Sequence, residues 1–469
     1  MSEGKNVKRV VIYGAGYSGK KIIREILKER DCYEIVALID DDARLKNQYV
    51  LGVKVNGDIG ILPFVLERFD VDEIIVAITY FTSSKFQYLM NAIKGRRITV
   101  RTVPSIMELT NDDFSIDEVR ELRIEDLLNR GEVEIDSHRT ERMLRGKTVL
   151  VTGGGGSIGS VIAKKSLEYG AENLFLLGHG ENSIFETMRQ LIAAFPRAHI
   201  TPIILDVKDR RGMEGLFRSV RFDTVFHAAA HKHVGLMETN VRECFANNVI
   251  GTKTVADAVL AAGIARFAAI STDKAVDPVS VMGISKRIVE RYLFSLTPEK
   301  TAIATVRFGN VLGSRGSVVP IFERQIEAGG PVTVTSRSIK RYFMTISEAA
   351  SLVIEASRLA SGNELFVLDM GKPVRIADLA KELIRLKGKE GAVSIRYTHP
   401  GRAEKINESL FYAYEKRSRS EHRKIWRVTD GIPENGFSDA VQQIIARYEN
   451  MPVRSLKQAM TSLAVTHGR

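Results

Sequence analysis

Apolar and polar positions alternate along this chain in two distinct rhythms, and one combination of them occurs twice. Near the start, KRVVIYGAGYSGKKIIREIL reads as an apolar strand, a glycine-rich turn and an amphipathic helix. The same order returns in GKTVLVTGGGGSIGSVIAKKSLEYG, where Ile158, Val161, Ile162 and Tyr169 fall on one helix face. Each segment leads into further stretches that alternate between strand-like and helical character. That succession predicts α/β architecture, with doubly wound parallel sheets covered by helices on both sides.

The first unit continues through EIVALIDDD, VDEIIVAIT and ITVRTVP and ends near residue 106. Residues 107–145 are rich in charge and poor in strand pattern, and read as a connector with short helices. From 146 to 469 runs a second, larger unit. Its buried strands are expected at LFLLG, TPIILD, DTVFHAA, RFAAIS and ATVRFGN, with helices over Val241 to Ala262 and Gly283 to Leu296. After about residue 310 the rhythm becomes irregular, which predicts a smaller lobe that includes ELFVLD. The last roughly 45 residues read as helical, packed on that lobe, with a loose end after Ser462.

Composition narrows the classes. A chain of 469 residues with 44% hydrophobic and 27% charged positions is ordinary globular protein of two or three domains, not disordered or low-complexity. No run is apolar enough for a membrane span, and the polar start carries no signal core, so a cytoplasmic protein is expected. Cys32 and Cys244 are too few for a disulfide framework, and no metal cluster is expected. The net charge of +11 is spread along the sequence without a zinc-finger, zipper or RNA-binding pattern. A solvated basic surface is therefore favoured over nucleic-acid binding.

Glycine turns between a strand and a helix let backbone N–H groups face a pyrophosphate. Gly14, Gly16 and Gly19 form G-x-G-x-x-G after the first strand, and Asp40 closes the next one, where a carboxylate can accept from ribose hydroxyls. Thr152, Gly153, Gly156 and Gly159 form the related T-G-x-x-G-x-x-G, with Ser157 and Ile158 opening the helix. Both are expected to be Rossmann-like nucleotide sites, the first a possible second site beside the main one. The strand after the second loop ends in Gly178-His179-Gly180 without a carboxylate, so the cofactor is NAD or NADP. Asp206 either faces the adenine or caps a turn; Val207 follows it.

The chemistry-bearing residues cluster in the second unit. Ser271-Thr272-Asp273-Lys274 follows a strand, at the sheet edge where open α/β folds bind ligands. Met282 and Lys286 follow at a spacing that shares one helix face. Ala228, Ala229 and Ala230 sit at another strand end, where small side chains let a cofactor ring approach. Each of these alone is more often a solvated turn, a core residue or a surface lysine.

Taken together, VTGGGGSIGS, HAAAHKHVGLMETN, NNVIGT, STDKAVDPVSVMGISKR, RFGNVLGSRGSVVPIF and RYFMTISEA resemble the bacterial UDP-N-acetylglucosamine 4,6-dehydratases, a branch of the extended short-chain dehydrogenase/reductases. Residues 1–106 resemble the extra nucleotide-binding domain of the membrane-anchored members. The resemblance implies NAD(P)-dependent oxidation at C4, loss of water across C5 and C6, and return of the hydride to C6. It assigns the acid to Asp273, the base to Lys274, a sugar contact to Thr272 and a cofactor contact to Lys286. Met282 stands where most of the superfamily carries a tyrosine. It further implies that the nucleotide diphosphate lies against Asn310, Arg315, Ser317, Val318 and Arg341, with Lys232 and His233 near the sugar. The family's R-P-G-E-K-L element reads HPGRAEKI here, so Glu404 and Lys405 align while Arg402 and Ala403 depart. A nucleotide sugar is thus the expected partner, and a homo-oligomer the expected assembly. Two other readings remain at this point: a UDP-sugar 4-epimerase, or a non-catalytic NAD-sensing regulator.

Overall fold

The glycine-rich segments form the turns that the pattern predicts, each after an interior strand of its own sheet. The computed structural model describes residues 7–29, 31–78, 81–103, 116, 119–127, 135–401, 403–429 and 436–465. The chain divides into two units, residues 1–132 with 381–393, and residues 133–380 with 394–469.

In the first unit, strands β1 (Lys8–Tyr13), β2 (Tyr33–Ile39), β3 (Tyr49–Val50), β4 (Val53–Gly57), β5 (Glu73–Val76), β6 (Thr99–Thr102) and β7 (Arg120–Glu121) are ordered β3-β4-β2-β1-β5-β6-β7. Chain order reverses at β1, whose glycine turn opens onto the helix Tyr17–Lys28.

In the second unit, the described residues form a nine-stranded sheet. It runs β10 (His199–Ile204), β9 (Asn173–Gly178), β8 (Thr148–Thr152), β11 (Thr224–His227), β12 (Arg266–Thr272), β13 (Ala302–Phe308), then Asn363–Leu368, Ile425–Val428 and Arg417–Arg419. The last two strands are antiparallel, and the others run parallel. Val149, Leu150 and Val151 of β8 are wholly buried, as an uninterrupted apolar run in a parallel sheet covered on both faces requires. The order reverses between β8 and β11, which opens a crevice at the carboxyl ends of those strands.

Three expectations are corrected. The stretch 107–145 is not one connector. Its strand β7 pairs antiparallel with β6 as an edge of the first sheet, whereas the helix Ser137–Leu144 belongs to the second unit, where Leu144 and Thr140 are buried. The short helix Ile124–Leu127 follows β7, and residues 107–115, 117, 118 and 128–134 lie outside the described residues. ELFVLD is not part of a lobe but the seventh strand of the main sheet, because its apolar residues are buried on both faces. The lobe itself is reduced to short ladders: Asn310–Val311 with Phe343–Met344, Val332–Val334 with Ile395–Tyr397, and Lys340–Arg341 with Val374–Arg375. Finally, the C-terminal helices Phe437–Ile445 and Val453–Val465 place Val441, Leu456 and Met460 in the core with Ile288 and Leu293 of the helix Val281–Phe294. Their apolar stripes cover the main sheet's helix layer, and the last helix continues past Ser462.

Candidate active site

At the end of β12 the chain enters a single tight turn, Asp273–Ala275, capped by the Thr272 hydroxyl. Asp273 is wholly buried. Its Oδ1 accepts from the Thr272 hydroxyl at 2.9 Å and from Lys274 Nζ at 2.9 Å. Its Oδ2 has no hydrogen-bond partner among the described residues. Lys274 Nζ also donates to Asn310 Oδ1 at 2.8 Å, which joins two residues predicted for different roles. A buried carboxyl oxygen left without a partner is costly in a purely structural setting. Gly309 lies against it, where a side-chain carbon would come within 3.1 Å.

The helix Val281–Phe294 starts directly against this turn. Ser280 caps it, accepting from the Gly283 N–H at 3.0 Å, and Gly283 lies so near the Lys274 carbonyl that a side-chain carbon there would overlap it. Met282 is buried in the apolar core and offers no proton. Lys286 Nζ donates to the Ile270 carbonyl at 2.9 Å. Burial lowers its pKa to about 8, against the pull of Cys244 and Glu290 in the other direction.

At the end of β11, the strand next to β12, lies a cleft of about 230 Å³ along the second glycine turn, lined by Gly153, Gly156, Val207, Ala228, Ala229 and Ala230, among others. Gly153 has φ +66°, and a Cβ on it would sit 2.6 Å from the Ala229 nitrogen. On Gly159 a Cβ would overlap the Gly153 carbonyl. No side chain caps the helix Ser157–Glu168, so its first-turn N–H groups, those of Ser157 and Ile158 included, remain for an anion. Gly178, His179 and Gly180 line the same cleft. These features fit a dinucleotide. Asp206 takes the second of its two sequence readings: its Oδ1 accepts from the Lys208 N–H at 2.9 Å and caps a turn.

Arg315 departs from expectation. Its side chain donates to the Gly155 carbonyl at 3.0 Å and its N–H to Ser157 Oγ at 3.0 Å. It therefore sits over the glycine turn and not with the predicted diphosphate ligands, because the Gly155 carbonyl accepts from the guanidinium. Ser317 and Val318 open the helix Val318–Glu327, and the buried Ser317 Oγ has no partner among the described residues. His233 packs against Gly316, with Lys232 preceding it. Arg341, buried, meets Glu404 Oε1 at 3.3 Å and the carbonyls of Lys405 and Ile406 at 2.8 and 3.2 Å. Arg402 lies outside the described residues.

At the first glycine turn, Gly14 has φ +122° and a Cβ there would meet the Ala77 carbonyl at 2.6 Å, whereas Gly16 has open space. On Gly19 a Cβ would overlap the Gly14 carbonyl. The Asp40 carboxylate is already held by the N–H groups of Ala15 at 2.6 Å and Asp42 at 2.8 Å. Glycine there serves close packing, and the acid braces the turn.

Two groups of residues escaped the sequence reading. Asn248, in a π-helical segment Phe245–Ile250, accepts from the His231 N–H and donates to the His231 carbonyl and Ser285 Oγ, which ties the alanine loop to the helix Val281–Phe294. Near the Asp273–Ala275 turn, Glu290, Arg307 and Glu415 form a buried charged cluster. A lone arginine inside the otherwise apolar β13 was the available signal. Among the described residues no cluster suits a metal ion, and no helix is long and apolar enough to cross a membrane.

A family model described as "Polysaccharide biosynthesis protein" matches residues 149–430, the span that contains the cleft and the pair. The chain belongs to this family. The capsular polysaccharide biosynthesis protein CapD of Staphylococcus aureus is 41% identical over 90% of this chain and 71% of its own length. A UDP-N-acetylglucosamine 4,6-dehydratase (inverting) of Campylobacter jejuni is 32% identical over 51% of this chain and 72% of its own, and a UDP-glucose 4-epimerase of Rickettsia canadensis 33% over 56% and 77%. Among solved structures, DesIV of Streptomyces venezuelae, a dTDP-glucose 4,6-dehydratase with NAD bound, shares the fold. Its TM-score is 0.50 at 19% identity, over 65% of this chain and 99% of that one. The family is thus kin to nucleotide-sugar dehydratases and epimerases, on a Rossmann-like α/β fold.

Proposed function

We propose that the protein is an NAD(P)-dependent 4,6-dehydratase of UDP-N-acetylglucosamine. The observation that carries this reading is the Asp273–Lys274 pair, its acid buried with one carboxyl oxygen unpartnered, at the end of the strand adjacent to the one that borders the dinucleotide cleft. An epimerase needs no acid–base pair for C5 and C6.

The glycine turn, the alanines of β11's end and Lys286 hold the cofactor. Bound NAD(P) supplies a hydride acceptor at C4 and the same hydride for C6. The chain's own residues balance the protons. With Lys274 as the free amine, the C4 hydroxyl proton passes through Thr272 to Asp273, along the 2.9 Å bond between them. Asp273 passes it to the C6 hydroxyl, which leaves as water. Lys274 takes the C5 proton and returns it, while Asn310 fixes the amine. The unpartnered Ser317 hydroxyl and the N-terminus of Val318–Glu327 suit the diphosphate. Arg341 and Glu404, held together, suit the nucleoside ribose. The first unit, which carries a glycine turn and no acid–base pair, is assigned to regulation or assembly of a cytoplasmic homo-oligomer.

Incubation with UDP-N-acetylglucosamine in deuterated water tests the reading. Mass spectrometry and NMR are expected to show loss of water and one deuterium at C5. A C4 epimer without water loss makes the protein an epimerase. Unchanged sugar with bound dinucleotide makes it a sensor.

A further inference from the structure

Three buried side chains tie together the elements that carry the acid–base pair. Glu290, one helical turn beyond Lys286, accepts from Ser271 Oγ at 2.7 Å. The same carboxylate receives Arg307 in a fork, Nε at 2.9 Å and Nη2 at 2.8 Å. Arg307 is entirely enclosed, and its far side meets Glu415 at 2.8 and 2.9 Å. Glu415 accepts in turn from the Tyr412 N–H at 3.0 Å, and the Tyr412 hydroxyl donates to the Ala275 carbonyl at 2.8 Å. The cluster therefore grips the catalytic turn at both ends. Ser271 precedes Thr272, and Ala275 follows Lys274. Arg307 lies on the strand that leads to Asn310, the partner of the Lys274 amine.

Apolar residues of similar volume commonly hold such a position at equal or better stability. Stability alone is thus a weak reason for a fully enclosed arginine with two carboxylates. We propose that Glu290 is a positioning residue, which through Ser271 and Arg307 fixes the Asp273–Lys274 pair and, one helical turn from Lys286, adds a negative charge to that amine's surroundings. This deepens the dehydratase reading and rests on it for its turnover arm. The groups facing Lys286 are Glu290 on its own helix, Cys244 and, on β11, His227, whose own pKa it depresses. Glu290 is the negative member of that set, so its neutralisation favours the amine form of Lys286.

Two variants separate position from charge. Glu290→Gln keeps length and loses charge. Its alkaline limb, in turnover and in NAD affinity by calorimetry across pH, is expected at lower pH than in the wild-type protein. Glu290→Asp keeps charge and shortens the reach. Its limb is expected where the wild type has it, with kcat down about tenfold to a hundredfold, KM within about twofold, since a displacement near 1 Å carries such a loss. Ser271→Ala, the milder change, is expected to lower kcat the same way. Variants that lose only thermal stability, with limb and kcat unmoved, overturn the proposal. If the wild-type protein does not turn over UDP-N-acetylglucosamine, the dehydratase reading fails by itself. The pH dependence of NAD affinity in Glu290→Gln then still decides the charge role: an unmoved limb overturns it.

Discussion

In the proposed reaction Asp273 acts from full enclosure, whereas the Lys274 side chain keeps 20% of its surface exposed. Asp273→Asn keeps the shape and removes the proposed acid, and Lys274→Ala removes the proposed base. Each is expected to lower turnover by about 10² to 10⁴-fold while NAD binding by calorimetry stays within error. His227 makes a second, independent prediction at this scale. Its Nδ1 and Nε2 lie 2.7 and 2.9 Å from the hydroxyls of Thr152 and Thr252. The Thr252 hydroxyl already donates to the Asn248 carbonyl, so Nε2 carries the proton and the ring is neutral. Burial, with help from Lys286, lowers its pKa from 6.5 to about 3. The unfolded chain therefore binds the extra proton first as pH falls. Stability from this group is complete above pH 6.5 and is lost on the way down to about pH 3. At pH 5 the loss is on the order of 2 kcal/mol. Thermal melts at pH 7.5 and pH 5 are expected to differ more for the wild-type protein than for His227→Gln, and equal differences would remove the assignment.

Elements position these groups through close approaches that a glycine permits. Ala is the better helix former, so Gly283→Ala would gain about 1 kcal/mol in an open helix. Here the new methyl meets the Lys274 carbonyl, a backbone atom that cannot rotate away. Overpacking of this kind costs about 1–3 kcal/mol, so the clash outweighs the propensity. The variant is expected to melt lower and to lose kcat beyond the loss of folded protein, measured by turnover per bound NAD. The reach of the sequence is clear at this scale. Strand–turn–helix order, both glycine turns, the 273–274 pair and the 282–286 helix face follow from local periodicity and spacing. Four things did not. Edge pairing such as β7 on β6 depends on residues far apart in sequence. The seventh strand, ELFVLD, arrives after an irregular stretch that hides it. Arg315 answers to a carbonyl on another loop, and Asp40 to the Ala15 N–H of the glycine turn as well as to that of Asp42 beside it. Side-chain destinations of that kind are set by tertiary neighbours, which carry no period.

At the scale of the whole molecule, the boundary before the second unit is the point where a cut can be judged. The charged stretch up to residue 145 reads as a connector, yet the helix Ser137–Leu144 is built into the second unit. Asp136 caps it, accepting from the Arg139 N–H at 3.0 Å. Leu144 and Thr140 are wholly buried, and the Thr140 hydroxyl donates to Glu355 of the helix Ile346–Leu359 at 3.2 Å. Truncation to start at residue 135 retains this helix, whereas truncation to start at Gly146 removes it. Both cuts delete the first unit and leave residues 381–393 equally bare, so their difference isolates the helix. Removal of one buried leucine costs about 2–5 kcal/mol. The shorter chain is therefore expected to melt several degrees below the longer one, at about 2–4 °C per kcal/mol for a domain of this size. Matching melting curves would mean that the helix contributes nothing to the second unit. If the longer form, carrying its own boundary helix, keeps both full turnover and the oligomeric state of the intact chain by light scattering, then the first unit is needed for neither, and its assignment to regulation or assembly falls.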